Sequence, residues 1–161
     1  MIRLIAAIDS RRGLATDTGI PWHLSGDVAY FRRCTEGGVL LMGRATYDEF
    51  AAPLEGRTSF VLTRDPASVG RGFVPVTDLA GFLDAHRRED LWVIGGAMLY
   101  GLTINRGEAL LLTQVGGDFG CTKFFPPYEE SFRLDHHSED HEEGGVTYRF
   151  ETWLPPRRPG P

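Results

Sequence analysis

The chain has little cysteine: Cys34 and Cys121 are its only two, too few for a disulfide framework, so a buried core has to stabilise the fold. It also has no apolar run long enough to span a bilayer. Met1 to Ile8 is apolar but short, and it lacks the charged flank and small-residue cleavage site of a secretory signal. Positive charge is not in excess: Lys and Arg number 17 against 22 Asp and Glu, a formal net charge of -5, and no basic stripe appears. That balance excludes sequence-independent binding to nucleic acid. No internal repeat and no evident Ser-His-Asp or Cys-His set is present. A reduced cytoplasmic protein is expected. At 161 residues, with 42% hydrophobic and 24% charged residues, the chain suits one globular domain rather than a disordered or fibrous one.

Short apolar or β-branched runs at Ile2 to Ile8, Val39 to Met42, Ser59 to Thr63 and Leu91 to Ile94 predict strands buried on both faces. Helical patterns lie between them at Ser25 to Thr35, Ala45 to Phe50, Asp78 to Arg87 and Ala97 to Ile104, with Ser25 as the expected N-cap of the first. This alternation implies an α/β fold with a mostly parallel sheet. After Ala109 the pattern changes. Ala109 to Val115, Phe132 to Asp135 and Thr147 to Leu154 follow one another without helices, so an antiparallel edge and a mixed sheet are expected. The domain is expected over residues 1–154, with a frayed Pro- and Arg-containing tail over 155–161.

Several segments offer chemistry. Val93-Ile94-Gly95-Gly96-Ala97 sets two glycines between strand and helix, where backbone N–H groups can approach a pyrophosphate; a tight turn would need the same residues. Met42-Gly43-Arg44-Ala45-Thr46 repeats the junction with a guanidinium and a hydroxyl, although Thr46 would also serve as a helix cap. A third strand ends in Thr63-Arg64, so phosphate-binding groups recur where open α/β sheets bind ligands. Asp27, Phe31 and Cys34 share one helical face beside Val28. A carboxylate there either offsets the helix dipole or, turned toward the core, needs a partner. The polar, Gly-containing stretch Asp9 to Gly19 suggests a mobile loop over a site. His136, His137 and His141 lie in an acidic run whose spacing matches no zinc pattern, and an exposed hairpin connection is expected there.

Taken in order, Ile5-Ala6-Ala7, Pro21-Trp22-His23-Leu24-Ser25-Gly26-Asp27, Met42-Gly43-Arg44-Ala45-Thr46-Tyr47, Pro53-Leu54-Glu55-Gly56-Arg57, Ile94-Gly95-Gly96 and Leu112-Thr113 resemble the dihydrofolate reductase family in its bacterial form. The resemblance spans most of the chain. It implies reduction of dihydrofolate to tetrahydrofolate with NADPH, by hydride transfer to pterin C6 and protonation of N5 through water. It implies that Asp27 holds the pterin together with Thr113, and that Trp22 helps keep water near them. Ile5, Val28, Phe31, Phe50, Leu54 and Ile94 would wall the pterin and benzoyl groups. Arg57 would hold the glutamate carboxylate, with Arg32 near it.

For the cofactor, the resemblance implies Ala7 and Ile20 at the nicotinamide, Leu14 among the other cofactor contacts, and Tyr100 beside the path of the hydride. Gly95, Gly96, Ala97, Met98 and Leu99 would cradle the pyrophosphate. Gly43, Arg44, Thr46, Thr63 and Arg64 would meet the phosphates, Arg64 at the 2′-phosphate. A monomer and antifolate binding are further implications. The chain departs from the family pattern at Leu14-Ala15, where an Ile-Gly pair is usual, at Ala45 and Met98, which are often basic, and at Thr122, where an acid commonly supports the lid. Two other readings are a related-fold riboflavin-pathway pyrimidine reductase, which need not keep Trp22, Asp27 and Arg57 together, and a non-catalytic NADPH-binding regulator, which has no need of Asp27.

Overall fold

In the computed structural model, which describes residues 1–161, the first apolar run forms β1 (Ile2–Ile8). The short strand β2 (Gly13–Ala15) and helix α1 (Ser25–Thr35) follow. Then come β3 (Val39–Met42), α2 (Arg44–Asp48), β4 (Thr58–Leu62), β5 (Phe73–Val76), α3 (Leu79–His86), β6 (Leu91–Val93) and α4 (Ala97–Thr103). The last part contains β7 (Ala109–Val115), β8 (Lys123–Phe124), β9 (Arg133–His137), β10 (His141–Glu143) and β11 (Val146–Leu154).

Nine strands form one sheet in the order β10-β11-β7-β1-β6-β3-β4-β5, with β9 also paired to β11. From β5 to β7 every pairing is parallel, whereas β11 runs antiparallel to β7, β9 and β10. The expected mixed, mostly parallel sheet with an antiparallel C-terminal edge is what forms. Both faces of its centre are covered. On β1, Leu4 and Ile8 join one buried cluster with Leu41, Leu91, Leu110 and Leu112, while Ile5 joins another with Leu40 and Trp92. Each fully buried side chain of this kind contributes roughly 1.5–3 kcal/mol of transfer free energy, which explains why these strands read as continuous apolar runs.

Four elements escape the sequence patterns. β5 is an edge strand paired only with β4, and Pro75 within it breaks the strand signal while costing no ladder bond an edge would need. β2 and β8 pair only with each other, so the stretch expected to be a loop over the site contains a strand instead. β10 closes a hairpin with β11. His136, His137 and His141 therefore sit within β9 and β10, and only residues 138–140 connect those strands.

Ser25 is not the N-cap of α1. Leu24 occupies that position without a side-chain cap bond, and the Ser25 N–H and hydroxyl both donate to the Glu143 carboxylate, the former at 2.7 Å. A carboxylate distant in sequence thus does what a local cap usually does. Thr46 makes no cap bond either, since α2 begins at Arg44. Residues 155–161 carry no regular structure and are exposed. No helix is long and apolar enough to cross a membrane.

Candidate active site

A cavity of about 750 Å³ opens at the C-terminal ends of β1, β3 and β6. The strand ends are tied together there: the Gly43 N–H donates to the Gly95 carbonyl at 2.7 Å, and the Ile94 N–H donates to the Leu41 carbonyl at 3.0 Å. Gly95 has φ +118°, and a Cβ on it would lie 3.3 Å from both Thr46 Oγ1 and the Tyr100 hydroxyl. Only glycine suits that conformation and leaves bare backbone facing the cavity. The peptide joining Gly95 to Gly96 is cis, and α4 starts immediately after it. Gly43, Arg44, Thr46, Ala97, Met98 and Leu99 line the same end. A glycine backbone flanked by a hydroxyl and a guanidinium fits a dinucleotide diphosphate.

At the other end stands Asp27, in the first turn of α1. Thr113 Oγ1 donates to its Oδ1 at 2.6 Å. Thr113 is aligned there because it pairs in register with Ala7, placing it on the strand next to β1. Burial pushes the Asp27 carboxyl above the usual carboxylate range, and the Thr113 hydrogen bond only partly opposes it. Ile5, Ala7, Val28, Phe31, Phe50 and Ile94 surround this end, with Leu14 and Ile20 reaching it from the segment after β1. Tyr100 is buried and donates from its hydroxyl to the Ile5 carbonyl at 2.6 Å. Burial, with the Asp27 charge adding to it, pushes that phenol far up, so it remains a donor.

The remaining expected residues stand around this cavity rather than on its wall. Trp22 is buried with Leu24, Val115, Cys121 and Tyr148, edge-on to Phe119 at 5.2 Å. Leu54 packs beside Phe31 and Ile94 against the Ile5, Leu40 and Trp92 cluster. Arg57 is held from three sides, donating to Thr35 Oγ1 at 3.0 Å and to the carbonyls of Glu55 and Arg32. Arg32 contributes that carbonyl, while its side chain is exposed. Thr63 engages Asp65, its hydroxyl accepting from the backbone N–H at 3.1 Å. Arg64 is exposed and makes no hydrogen bond or ion pair.

Three charged wall residues escaped the sequence reading: Asp48, Glu49 and Lys123. Asp48 stands four residues after Arg44, and its carboxylate accepts from Arg44 Nε at 3.1 Å, a spacing the sequence does display. Nothing near Lys123 signals its place, because β8 reaches the cavity only by pairing with β2.

The segment between β1 and α1 is anchored. Asp9, expected in a mobile polar loop, is 1% exposed and accepts N–H bonds from Arg11 at 2.9 Å, Gly13 at 2.7 Å and Phe119 at 3.1 Å. Burial alone would raise its pKa, but these bonds and the Cys121 thiol together hold it below the usual range. Thr122 supports the same segment, donating from its N–H to the Ala15 carbonyl and from its hydroxyl to Asp17, both at 2.9 Å.

A mixed, mostly parallel sheet with a glycine phosphate cradle and a half-buried carboxylate in one cavity defines a nucleotide-dependent α/β enzyme. The comparisons with known proteins agree in kind. A family model for dihydrofolate reductase matches residues 1–154. The dihydrofolate reductase of Bacillus subtilis (strain 168) is 36% identical over 132 residues, covering 81% of this chain and 79% of the relative. Dihydrofolate reductase type A13 of Escherichia coli is 30% identical over 154 residues, covering 94% and 93%. Among solved structures, dihydrofolate reductase from Enterococcus faecalis, complexed with NADP(H) and RAB-propyl, superposes with a TM-score of 0.87 at 24% identity, covering 96% of each chain. The chain belongs to the dihydrofolate reductase family.

Proposed function

We propose that the protein reduces 7,8-dihydrofolate to 5,6,7,8-tetrahydrofolate with NADPH, as a cytoplasmic monomer that antifolates inhibit. The observation that carries this reading is the pairing, in one cavity, of the Asp27–Thr113 couple at the apolar end with the Gly95 cradle and Arg44 at the other. The family membership supports it.

Asp27 offers one carboxylate oxygen to Thr113 and keeps the rest of its acceptor capacity for a ligand. A ring N–H and exocyclic amine side by side, as in a pterin, match that carboxylate. Asp27 orients and polarises this edge of the ring, while the proton reaches N5 through water kept near the network by Trp22. Ile5, Val28, Phe31, Phe50, Leu54 and Ile94 exclude water around the rings, and Arg57, pre-set by its three carbonyl and hydroxyl partners, receives the glutamate carboxylate. When bound, NADPH supplies the hydride to pterin C6. Ala7, Leu14, Ile20 and Tyr100 fix the nicotinamide. Gly43, Arg44, Thr46 and Gly95 through Leu99 bind the diphosphate, and Thr63 and Arg64 take the 2′-phosphate.

The test is the loss of reduced-nicotinamide absorbance with dihydrofolate, using NADPH and NADH in parallel, for wild type and Asp27→Asn. Turnover with NADPH that falls about 10²-fold or more in the variant is expected. A folded wild type that binds NADPH without turning over dihydrofolate would point instead to the pyrimidine reductase or the regulator.

A further inference from the structure

The hairpin of β10 and β11 lies outside the cavity, yet one of its faces is turned to α1. Directly opposed residues of antiparallel strands share a face, so the pairs His141–Tyr148 and Glu143–Val146 put their side chains on one side of the hairpin. Phe150 lies two residues beyond Tyr148, on the same side, and pairs in register with Thr113 of β7. Glu143, Tyr148, Phe150 and Thr113 therefore belong to one row across three strands.

α1 docks on that row. The Glu143 carboxylate accepts from the Ser25 N–H at 2.7 Å and from the Ser25 hydroxyl. The Tyr148 hydroxyl packs so closely on the first turn that a Cβ on Gly26 would collide with it. Tyr30, three residues after Asp27, stacks on Phe150 with ring centres 4.0 Å apart and planes 19° from parallel. The Asp27–Thr113 hydrogen bond closes the same interface. Of these anchors only the Glu143 contact is charge-assisted, and it fixes the residue two before Asp27. Leu24 at the N-cap makes no side-chain bond, so without Glu143 the Ser25 N–H has no protein partner. The Ser25 hydroxyl above all holds the Glu143 carboxyl below the usual carboxylate range, so the contact is charged near neutrality.

We infer that Glu143 is a positioning residue for the reaction: by fixing the first turn of α1 against the β10–β11 hairpin, it sets Asp27 within hydrogen-bond distance of Thr113. This rests on dihydrofolate being the ligand that Asp27 holds. Both partners of the Asp27–Thr113 bond are then referred to one strand, since β11 pairs with Thr113 through Phe150 and its hairpin partner β10 carries the anchor of α1. The cofactor end of the cavity is not part of this arrangement, so Glu143 acts on substrate and not on dinucleotide binding.

The experiment compares wild type, Glu143→Ala, Glu143→Gln and Glu142→Ala in dihydrofolate turnover, NADPH titration and amide hydrogen exchange, with Glu143→Ala repeated on Thr113→Val. Glu142 is the exposed neighbour with no hydrogen bond, and its removal takes away the same charge. Glu143→Ala is expected to lower kcat/KM for dihydrofolate by about tenfold, to leave NADPH affinity unchanged and to speed exchange of the Ser25 amide. Glu143→Gln keeps an acceptor oxygen and should recover most of the loss, and Glu142→Ala should match wild type. On Thr113→Val, Glu143→Ala should cost almost nothing further, because the two residues act on one bond. Additive losses or an unchanged kcat/KM in Glu143→Ala would overturn the inference. An equal loss in Glu142→Ala would do so by tracing the effect to long-range charge, and an equal loss of NADPH affinity by reducing Glu143 to general support of the fold. A wild type that bound NADPH without turning over dihydrofolate would instead fail the functional reading, and unaltered Ser25 exchange in Glu143→Ala would even then refute the anchor.

Discussion

Two carboxylates, Asp9 between β1 and β2 and Asp27 on α1, are both withdrawn from water, yet their environments drive them apart. Asp9 accepts three backbone N–H groups and faces the Cys121 thiol, so its ionised form is more fully satisfied in the fold than in water. Burial, reinforced by the Asp9 charge, pushes Cys121 up to about 11, which keeps that thiol a donor. Asp27 has one hydroxyl partner and an apolar surround, so its ionised form is under-satisfied until something else binds. Position in sequence does not distinguish these acids. The number of donors does: a saturated carboxylate is structural, and an unsaturated one beside a cavity is available for chemistry.

The sharpest way to break this contrast is to neutralise each acid in turn. Asp27→Asn is expected to lose about 10²-fold or more in kcat/KM while gaining stability on the order of 1 kcal/mol, about 2–4 °C in Tm. Asp9→Asn is expected to do the reverse in kind. It turns an amide N–H toward backbone donors and destabilises by roughly 1–3 kcal/mol, with a smaller loss of activity through the loosened lid. Equal Tm changes of the same sign in calorimetry would show that the two sites are not different in nature.

Acid and base titration of stability separates them next. Because the folded pKa of Asp27 is raised, its ionisation costs the fold nothing below the ordinary carboxyl range, and the cost grows as pH rises through that range to the raised value. Asp9 has a lowered folded pKa, so its contribution is present above the ordinary range and is lost as pH falls through it. Urea melts across pH should therefore show Asp27→Asn gaining on wild type toward neutrality, and Asp9→Asn approaching wild type toward acid. Curves parallel to wild type would refute the assignment.

A smaller effect sharpens the Asp27 half. Thr113→Val removes the one hydrogen bond that favours the ionised form, so the apparent pKa in the pH profile of kcat/KM should move up. Activity near neutrality should fall by about tenfold or less. An unmoved profile would mean that Thr113 only packs.

Much of this was legible in the chain. α1 and β7 fall where the patterns put them, since an amphipathic helix and a strand covered on both faces leave clear periodic signatures. β5, β2, β8 and β10 were not legible, because a proline-containing edge and two- or three-residue strands carry too few residues for any period to register. Within the site, Asp27 and the Gly95–Gly96 junction could be read from residue type and neighbours, and Thr113 only through the family resemblance. Lys123 and the buried state of Asp9 could not, for each depends on contacts with residues far away along the chain.

The mixed α/β sheet, the family and the inventory of chemical groups follow from residue order alone, because apolar period, glycine placement and motif order are local properties. Which acid is saturated, which cation is left unpaired, and that Glu143 rather than Ser25 serves the start of α1 were settled only when the chain folded. Those outcomes depend on which distant donors and charges share a few ångströms of space, and chain order does not encode that distance.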